Sequence, residues 1–179
     1  MIGVILYGPP AAGKDTVTSA LNGLDPRFTL FRRLKAGSGR TTGYRVTDTE
    51  HIAGLRVRDE IVWENARYGS LYVVDRPGLL QALESGVPVV HLGQLAAVTA
   101  VKSALTQARW LVVSLSCSRQ TAIQRIRERK TGDDEARIRA WDETEELHNA
   151  DIAIDTDYLD PQESASLIAA EINRRLLAA

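Results

Sequence analysis

Residues 8–16 read Gly8-Pro9-Pro10-Ala11-Ala12-Gly13-Lys14-Asp15-Thr16. An apolar run, Ile2-Gly3-Val4-Ile5-Leu6-Tyr7, precedes them, and Val17-Thr18-Ser19-Ala20-Leu21 continues after them as a helix would. The pattern is G-x-x-x-x-G-K, which between a strand and a helix is a phosphate-binding loop. Glycines let the backbone curl so that successive N–H groups point at one anion. The start of the following helix adds unpaired N–H groups and the positive end of a dipole. On this reading Gly8, Ala11, Ala12 and Gly13 present the loop amides, and Lys14 sets a point charge against the outer phosphates. A turn rich in glycine and proline is the bland alternative, but the lysine, its spacing and both flanks agree with phosphate binding.

A Ser or Thr normally follows the lysine, and its hydroxyl ligates magnesium. Here Asp15 stands in that place and the hydroxyl comes one residue later, at Thr16. A carboxylate beside a triphosphate is unfavourable unless a cation lies between them. Asp15 therefore either approaches Mg²⁺, with Thr16 as a second metal-side oxygen, or turns away to cap the helix. An acid in the first helical turn suits the dipole in both cases.

The 179 residues are 44% hydrophobic and 25% charged, with formal net charge -1, which fits one ordinary globular domain over 1–179. The charge balance gives no support to general nucleic-acid binding, which shows as a basic excess. The one cysteine, Cys117, ends an apolar run and reads as a core residue; no disulfide can form within the chain, which fits a reducing compartment. No apolar run approaches the ~20 residues of a membrane span, and no charged leader precedes an apolar one. The expectation is a cytoplasmic protein without membrane or nucleic-acid partners, monomeric or homodimeric.

Strand-like and helix-like stretches alternate. Apolar strands are expected at 4–7, 28–31, 87–92, 110–116 and 152–154, with two short ones at 59–63 and 70–74. Helices are expected from Thr16 to about Gly23, after a capping box of Thr47 and Glu50, after Asp75 with Pro77 in the first turn, over 95–105, from Ser116 or Ser118 to about Lys130, over 135–148, and over 161–177 with Leu167, Ile168, Ile172, Leu176 and Leu177 inward. This order predicts an α/β fold with a mainly parallel sheet covered on both faces. Ligands of such sheets sit at the carboxyl ends of the strands. The phosphate loop, the residues after 31, His91 and the arginines after 118 all lie there.

Two further basic groups stand out. Arg27, Arg32, Arg33, Lys35, Arg40 and Arg45 surround the turn Ala36-Gly37-Ser38-Gly39, and a second anion pocket facing the first is the functional reading of that cluster. Arg119, Arg125, Arg127, Arg129, Arg137 and Arg139 lie on either side of Thr131-Gly132-Asp133-Asp134. Phosphoryl transfer is mostly positioning and charge neutralisation, so arginines on a helix–loop–helix that can close are what it needs. The competing reading is a charged helix paired with its own acids, Glu128, Asp133, Asp134 and Glu135.

These landmarks together resemble the guanylate kinase-like branch of the P-loop nucleoside monophosphate kinases. The resemblance runs through Arg33 and Tyr44, Trp63 before Tyr68-Gly69-Ser70, Arg125-Ile126-x-x-Arg129, Arg137 and Ala150-Asp151-Ile152-Ala153-Ile154. Lys14-Asp15-Thr16 resembles the ribose 1,5-bisphosphate phosphokinases in particular. What the resemblance implies is a P-loop kinase fold: a mainly parallel five-stranded sheet flanked by helices, a small acceptor-binding subdomain (about 33–74) and an arginine-rich lid (about 118–140). It implies ATP and Mg²⁺ as cofactors, with Arg125 on the nucleotide side and Arg129 and Arg137 neutralising the transferred group. It implies that Arg33, Lys35, Tyr44 and Tyr68 hold the phosphate of a small acceptor and that Ser70 touches its base.

The chain departs from that family at two places. Val62 stands where guanylate kinases carry a guanine-reading acid, leaving Glu64 as the nearby substitute. His91-Leu92-Gly93-Gln94 replaces an acidic motif after the next strand. A site built to pair with a base amide gains a large specificity factor from that pairing, so its loss argues for another acceptor. The function expected is ATP-dependent phosphoryl transfer to a small phosphorylated acceptor, a nucleoside monophosphate or a modified nucleotide. A phosphosugar is the alternative, and a non-catalytic phosphopeptide-binding module the rival from another class. For a hydroxyl acceptor, His91, Asp75 or Asp15 would be the candidate base.

Overall fold

Every residue of the first strand, β1 (Ile2–Tyr7), is buried. The computed structural model describes residues 1–178 apart from Arg40 and Tyr68. After β1 come α1 (Lys14–Leu24), β2 (Phe28–Leu30), β3 (Leu34–Ala36), β4 (Arg45–Val46), α2 (Thr49–Val57), β5 (Ile61–Arg67), β6 (Ser70–Asp75), α3 (Arg76–Ser85), β7 (Val87–Leu92), α4 (Leu95–Ala104), β8 (Arg109–Ser116), α5 (Arg119–Glu128), α6 (Asp134–Asp142), β9 (Ile152–Asp155) and α7 (Pro161–Leu177).

A five-stranded sheet in the order β2-β7-β1-β8-β9 forms the centre, and all its pairings are parallel. Strand alternation splits β1 between two cores. Ile2, Val4 and Leu6 pack with Val17 and Leu21 of α1 and Ile168 and Ile172 of α7. Ile5 and Tyr7 pack on the other face with Leu79 and Leu83 of α3 and Val98 and Val101 of α4. Each such side chain contributes about 1.5–3 kcal/mol by leaving water. The carboxyl ends of β1, β7 and β8 thus open onto the phosphate loop, because Leu6 is level with His91 and Tyr7 with Leu92 and Ser114.

A second sheet of four short strands, β4-β3-β6-β5, stands apart from the first. One face of it closes a small core: Leu34, Ala36 and Val73 pack on Ile52 and Leu55 of α2. The opposite face carries Lys35, Tyr72 and Asn65 in one row, since Tyr72 is level with both of the others.

Several local expectations shift. The second strand stops at Leu30, one residue short of Phe31. The strand expected at 59–63 begins at Ile61 and runs to Arg67, because Asp59 takes a left-handed φ of 54° and only from Ile61 does the antiparallel ladder with β6 begin. Asp48, not Thr47, caps α2; its carboxylate accepts from the His51 amide at 2.7 Å. Ser118 rather than Ser116 caps α5. The helix expected to reach His148 ends at Asp142, where Thr144 turns its hydroxyl back onto the Ala140 carbonyl. In α7 the inward face is Ala165, Ile168, Ala169 and Ile172, whereas Leu167, Leu176 and Leu177 are exposed. No helix among the described residues is long and apolar enough to cross a membrane.

Candidate active site

The loop between β1 and α1 is shaped by three left-handed backbone positions. Gly8 passes so close to the Leu115 carbonyl that a Cβ there would meet the oxygen at 2.3 Å. Ala11 (φ 64°) and Gly13 (φ 92°) then bend the chain into the start of α1, which has Gly13 at its N-cap and no side-chain cap. Its first-turn amides are left for a ligand. Lys14 folds back over the loop and donates to the carbonyls of Gly8 (2.5 Å) and Pro9 (2.7 Å). Burial, with the cations of Arg33 and Arg129 adding to it and Asp15 opposing, pushes its pKa down to about 8.

The loop forms one wall of a cavity of about 490 Å³. Gly8, Ala11, Gly13, Lys14 and Asp15 line that wall. The polar face of the second sheet lines the opposite one, with Arg33, Lys35, Asn65, Arg67 and Tyr72, joined by Tyr44. The Arg33 guanidinium lies 5.8 Å from the Tyr44 ring centre and 5.4 Å from that of Tyr72, and the two rings tilt against each other at 5.3 Å. Such cation–π contacts fix the arginine in place without neutralising its charge. Lys35 is 2% exposed and donates to the Ser38 carbonyl. Arg129 and Arg137 enter from the third side, where α5 gives way to α6. Arg137 is ion-paired to Asp133 at 2.7 Å, and that bond first of all holds the Asp133 carboxyl below its usual range.

His91 lies at the carboxyl end of β7, between the two walls. Its Nε2 is 2.7 Å from the Thr18 hydroxyl and its Nδ1 is 3.6 Å from Asp15 Oδ1. Burial, reinforced by the charges of Lys14 and Arg33, drives its pKa down to about 3, so the ring is neutral at pH 7 and only weakly basic. That counts against a proton-accepting role there.

Not every expected residue reaches the cavity. Glu64 does not line it. Side chains alternate along β5, so Asn65 and Arg67 face the cavity while Glu64 faces α2, where Arg56 holds it at 2.7 Å. Val62 sits at an irregularity between Ile61 and Trp63 and packs into the core beside α3 and α4. Ser70 is buried and donates to the Ser38 carbonyl, bracing the 37–39 turn. Thr16 is exposed and off the cavity, one residue and so about 100° round the helix from Asp15. Ala12 packs its side chain into the α1–α7 core. Arg125 lies behind the loop, donating to the Ala11 carbonyl at 3.1 Å and to Thr156 Oγ1 and O at 3.0 Å each. Asp75 caps α3 and pairs with Arg45, away from the cavity. Tyr68 and Arg40 lie outside the described residues. Asn65, Arg67 and Tyr72 line the cavity without having been singled out in the sequence; strand alternation from an inward Trp63 would have pointed to the first two.

No family model matches the chain. It is 30% identical to a guanylate kinase of Frankia casuarinae over 115 residues, 62% of each chain, so the match spans less than two thirds of that relative's length. A guanylate kinase from Anaplasma phagocytophilum superposes with a TM-score of 0.63, covering 97% of this chain and 85% of that one at 15% identity. The chain has the guanylate kinase-like P-loop kinase fold. A second solved protein, APE1195, superposes with a TM-score of 0.61 at 20% identity, covering 97% of this chain and 95% of that one. Within this guanylate kinase-like frame the two cationic walls face each other across one space. A magnesium ion would find hard oxygen from the Asp15 carboxylate at the edge of the phosphate loop. Among the described residues no group of three or more His, Cys, Asp or Glu could form a cage of its own.

Proposed function

We propose that this chain is an ATP- and Mg²⁺-dependent kinase that transfers the γ-phosphoryl group to a small phosphorylated acceptor. The observation that carries this reading is the pair of cationic walls, Lys14 on one and Arg33 with Lys35 on the other, with Arg129 and Arg137 between them. Two anions held face to face across one cavity, with arginines over the gap, are the requirement for in-line transfer. The likeness to guanylate kinases supports a nucleotide kinase in general terms.

In this reading the loop amides and Lys14 hold the donor phosphates, and Asp15 carries the metal. Magnesium, when bound, would neutralise negative charge on the donor phosphates. Arg33, Lys35 and Tyr44 hold the acceptor phosphate, with Asn65 and Arg67 beside it. Arg129 and Arg137 neutralise the transferred group, and residues 118–140 close over it as a lid. Residues 33–74 form the acceptor-binding subdomain. The acceptor attacks with its own phosphate oxygen, so no protein base is required, in keeping with the weak basicity of His91.

A nucleoside monophosphate or modified nucleotide is the first choice of acceptor. A phosphosugar is the second reading, favoured by the turning away of Glu64, which leaves Asn65 and Arg67 rather than a carboxylate on that strand's cavity side. A phosphopeptide-binding module needs neither Lys14 nor the arginines beside it. The unpaired, buried Cys117 suits a reducing compartment such as the cytoplasm. Titration of the protein with an ATP analogue, and then with phosphorylated acceptors on the saturated complex, tests the reading: two separate saturable sites are expected, and competition between the ligands for one site would refute it.

A further inference from the structure

The contact between His91 and the phosphate loop has a direction. A neutral imidazole carries one N–H. If that proton sat on Nε2, the bare lone pair of Nδ1 would face the Asp15 carboxylate at 3.6 Å, a repulsive arrangement. If it sits on Nδ1, the Thr18 hydroxyl donates to Nε2 at 2.7 Å, and an N–H in place of the lone pair lies 3.6 Å from Asp15 Oδ1. A protonated ring would present the same Nδ1–H. Every favourable arrangement therefore aims a donor at Asp15.

The partners are rigid. Thr18 is buried one helical turn after Lys14, and His91 is 12% exposed at the end of β7. At 3.6 Å the Nδ1–Asp15 approach is a charge–dipole contact; closing it by about half an ångström makes it a hydrogen bond. Asp15 lines both the main cavity and a smaller one shared with Arg33, Tyr44 and His91, so its carboxylate stands at the junction of the two walls.

We propose that His91 is a positioning residue: held by Thr18, its Nδ1–H sets the Asp15 carboxylate on the phosphate side of that junction, where it serves the metal of the donor nucleotide. This rests on the kinase reading above. Partners that orient a metal-side carboxylate from behind typically govern metal affinity by about 10-fold or more. Position matters more than polarity here, because Asn and Gln place an amide N–H where Nδ1 and Nε2 respectively lie. His91→Asn keeps a donor toward Asp15. His91→Gln keeps only the reach to Thr18.

The test is Mn²⁺ affinity, read by electron paramagnetic resonance on the whole protein with a non-hydrolysable ATP analogue, alongside thermal unfolding of each variant. His91→Gln is expected to weaken Mn²⁺ binding by roughly 10-fold and His91→Asn by less than about 3-fold. Thr18→Val, which keeps the shape but frees the ring to change tautomer, is expected to fall between them, and it decides the matter if His91→Gln does not fold. Equal effects of Asn and Gln, or no effect of either Gln or Val, would overturn the positioning role. Wild type that binds the analogue equally with and without Mn²⁺ would remove the metal role of Asp15 and the inference with it. Wild type that does not bind the analogue at all would instead overturn the kinase reading.

Discussion

The ammonium of Lys14 donates to the carbonyl of Gly8, the first glycine of its own loop, at 2.5 Å. With the second bond to Pro9 this holds the charge over the hollow of the loop. The cost of burying it shows as a pKa pushed down to about 8. An anion in the loop would relieve that cost, so binding energy and the buried charge are two sides of one arrangement.

Lys14→Ala is expected to lower phosphoryl transfer by about 100-fold or more while leaving acceptor affinity within a few-fold. Lys14→Met, which replaces a half-buried ammonium by an apolar chain of similar length, is expected to raise the unfolding temperature of the unliganded protein by about 2–4 °C. Nucleotide affinity of the wild type should decline as pH rises through about 8, as the ammonium loses its charge. Calorimetric titration at pH 7 and pH 9.5 checks this, and an unchanged affinity would contradict it.

His91 makes the folded protein sensitive to acid. Its folded pKa is depressed to about 3 from a usual 6.5, chiefly by burial. Above about pH 6.5 the ring is neutral in both states and nothing is lost. As pH falls from there toward 3 the unfolded chain takes up a proton that the folded one refuses, and stability falls. At pH 5 that loss amounts to at most about 2 kcal/mol. Urea unfolding at pH 7 and pH 5 should show this component in the wild type and its absence in His91→Asn.

The two arginines one helical turn apart, Arg125 and Arg129, are expected to fail differently. Arg125 ties the Ala11 carbonyl to the turn at Thr156, so Arg125→Ala should cost about 2–3 kcal/mol of stability and loosen nucleotide binding. Arg129 lines the cavity, so Arg129→Ala should leave the unfolding midpoint nearly unchanged and lower turnover by roughly 100-fold. Denaturant titration paired with kinetics separates the two.

The acceptor wall gives a third contrast. Arg67→Ala and Asn65→Ala should raise the acceptor KM by about 10-fold with smaller changes in kcat, as lost uniform binding does. Glu64→Gln should leave that KM within about 2-fold, since the side chain faces Arg56 and α2. Steady-state kinetics on the three variants distinguishes these.

How far the sequence could be read follows from the range of the forces. The central sheet was legible because β1, β7 and β8 are continuous apolar runs, and burial on both faces leaves no other reading. The second sheet was legible only in its β5 and β6, expected as two short strands; β3 and β4 have only three and two residues and depend on pairing with distant partners. Glu64 illustrates the consequence. Which side of β5 it takes depends on the irregularity at Val62, and a one-residue slip exchanges every side chain between the faces. Arg125 shows the same limit: helical spacing sets it on one face with Arg129, but only the packing of α5 against the loop takes its guanidinium to the Ala11 carbonyl and Thr156.

Phosphoryl transfer itself is tested most directly by ADP formation from ATP and Mg²⁺ against a panel of nucleoside monophosphates and phosphosugars. The expected result is stimulation by at least one phosphorylated acceptor of about 100-fold over water, abolished in Lys14→Ala and strongly reduced in Arg33→Ala. No stimulation by any acceptor, together with saturable binding of a phosphopeptide at the same cavity, would contradict it.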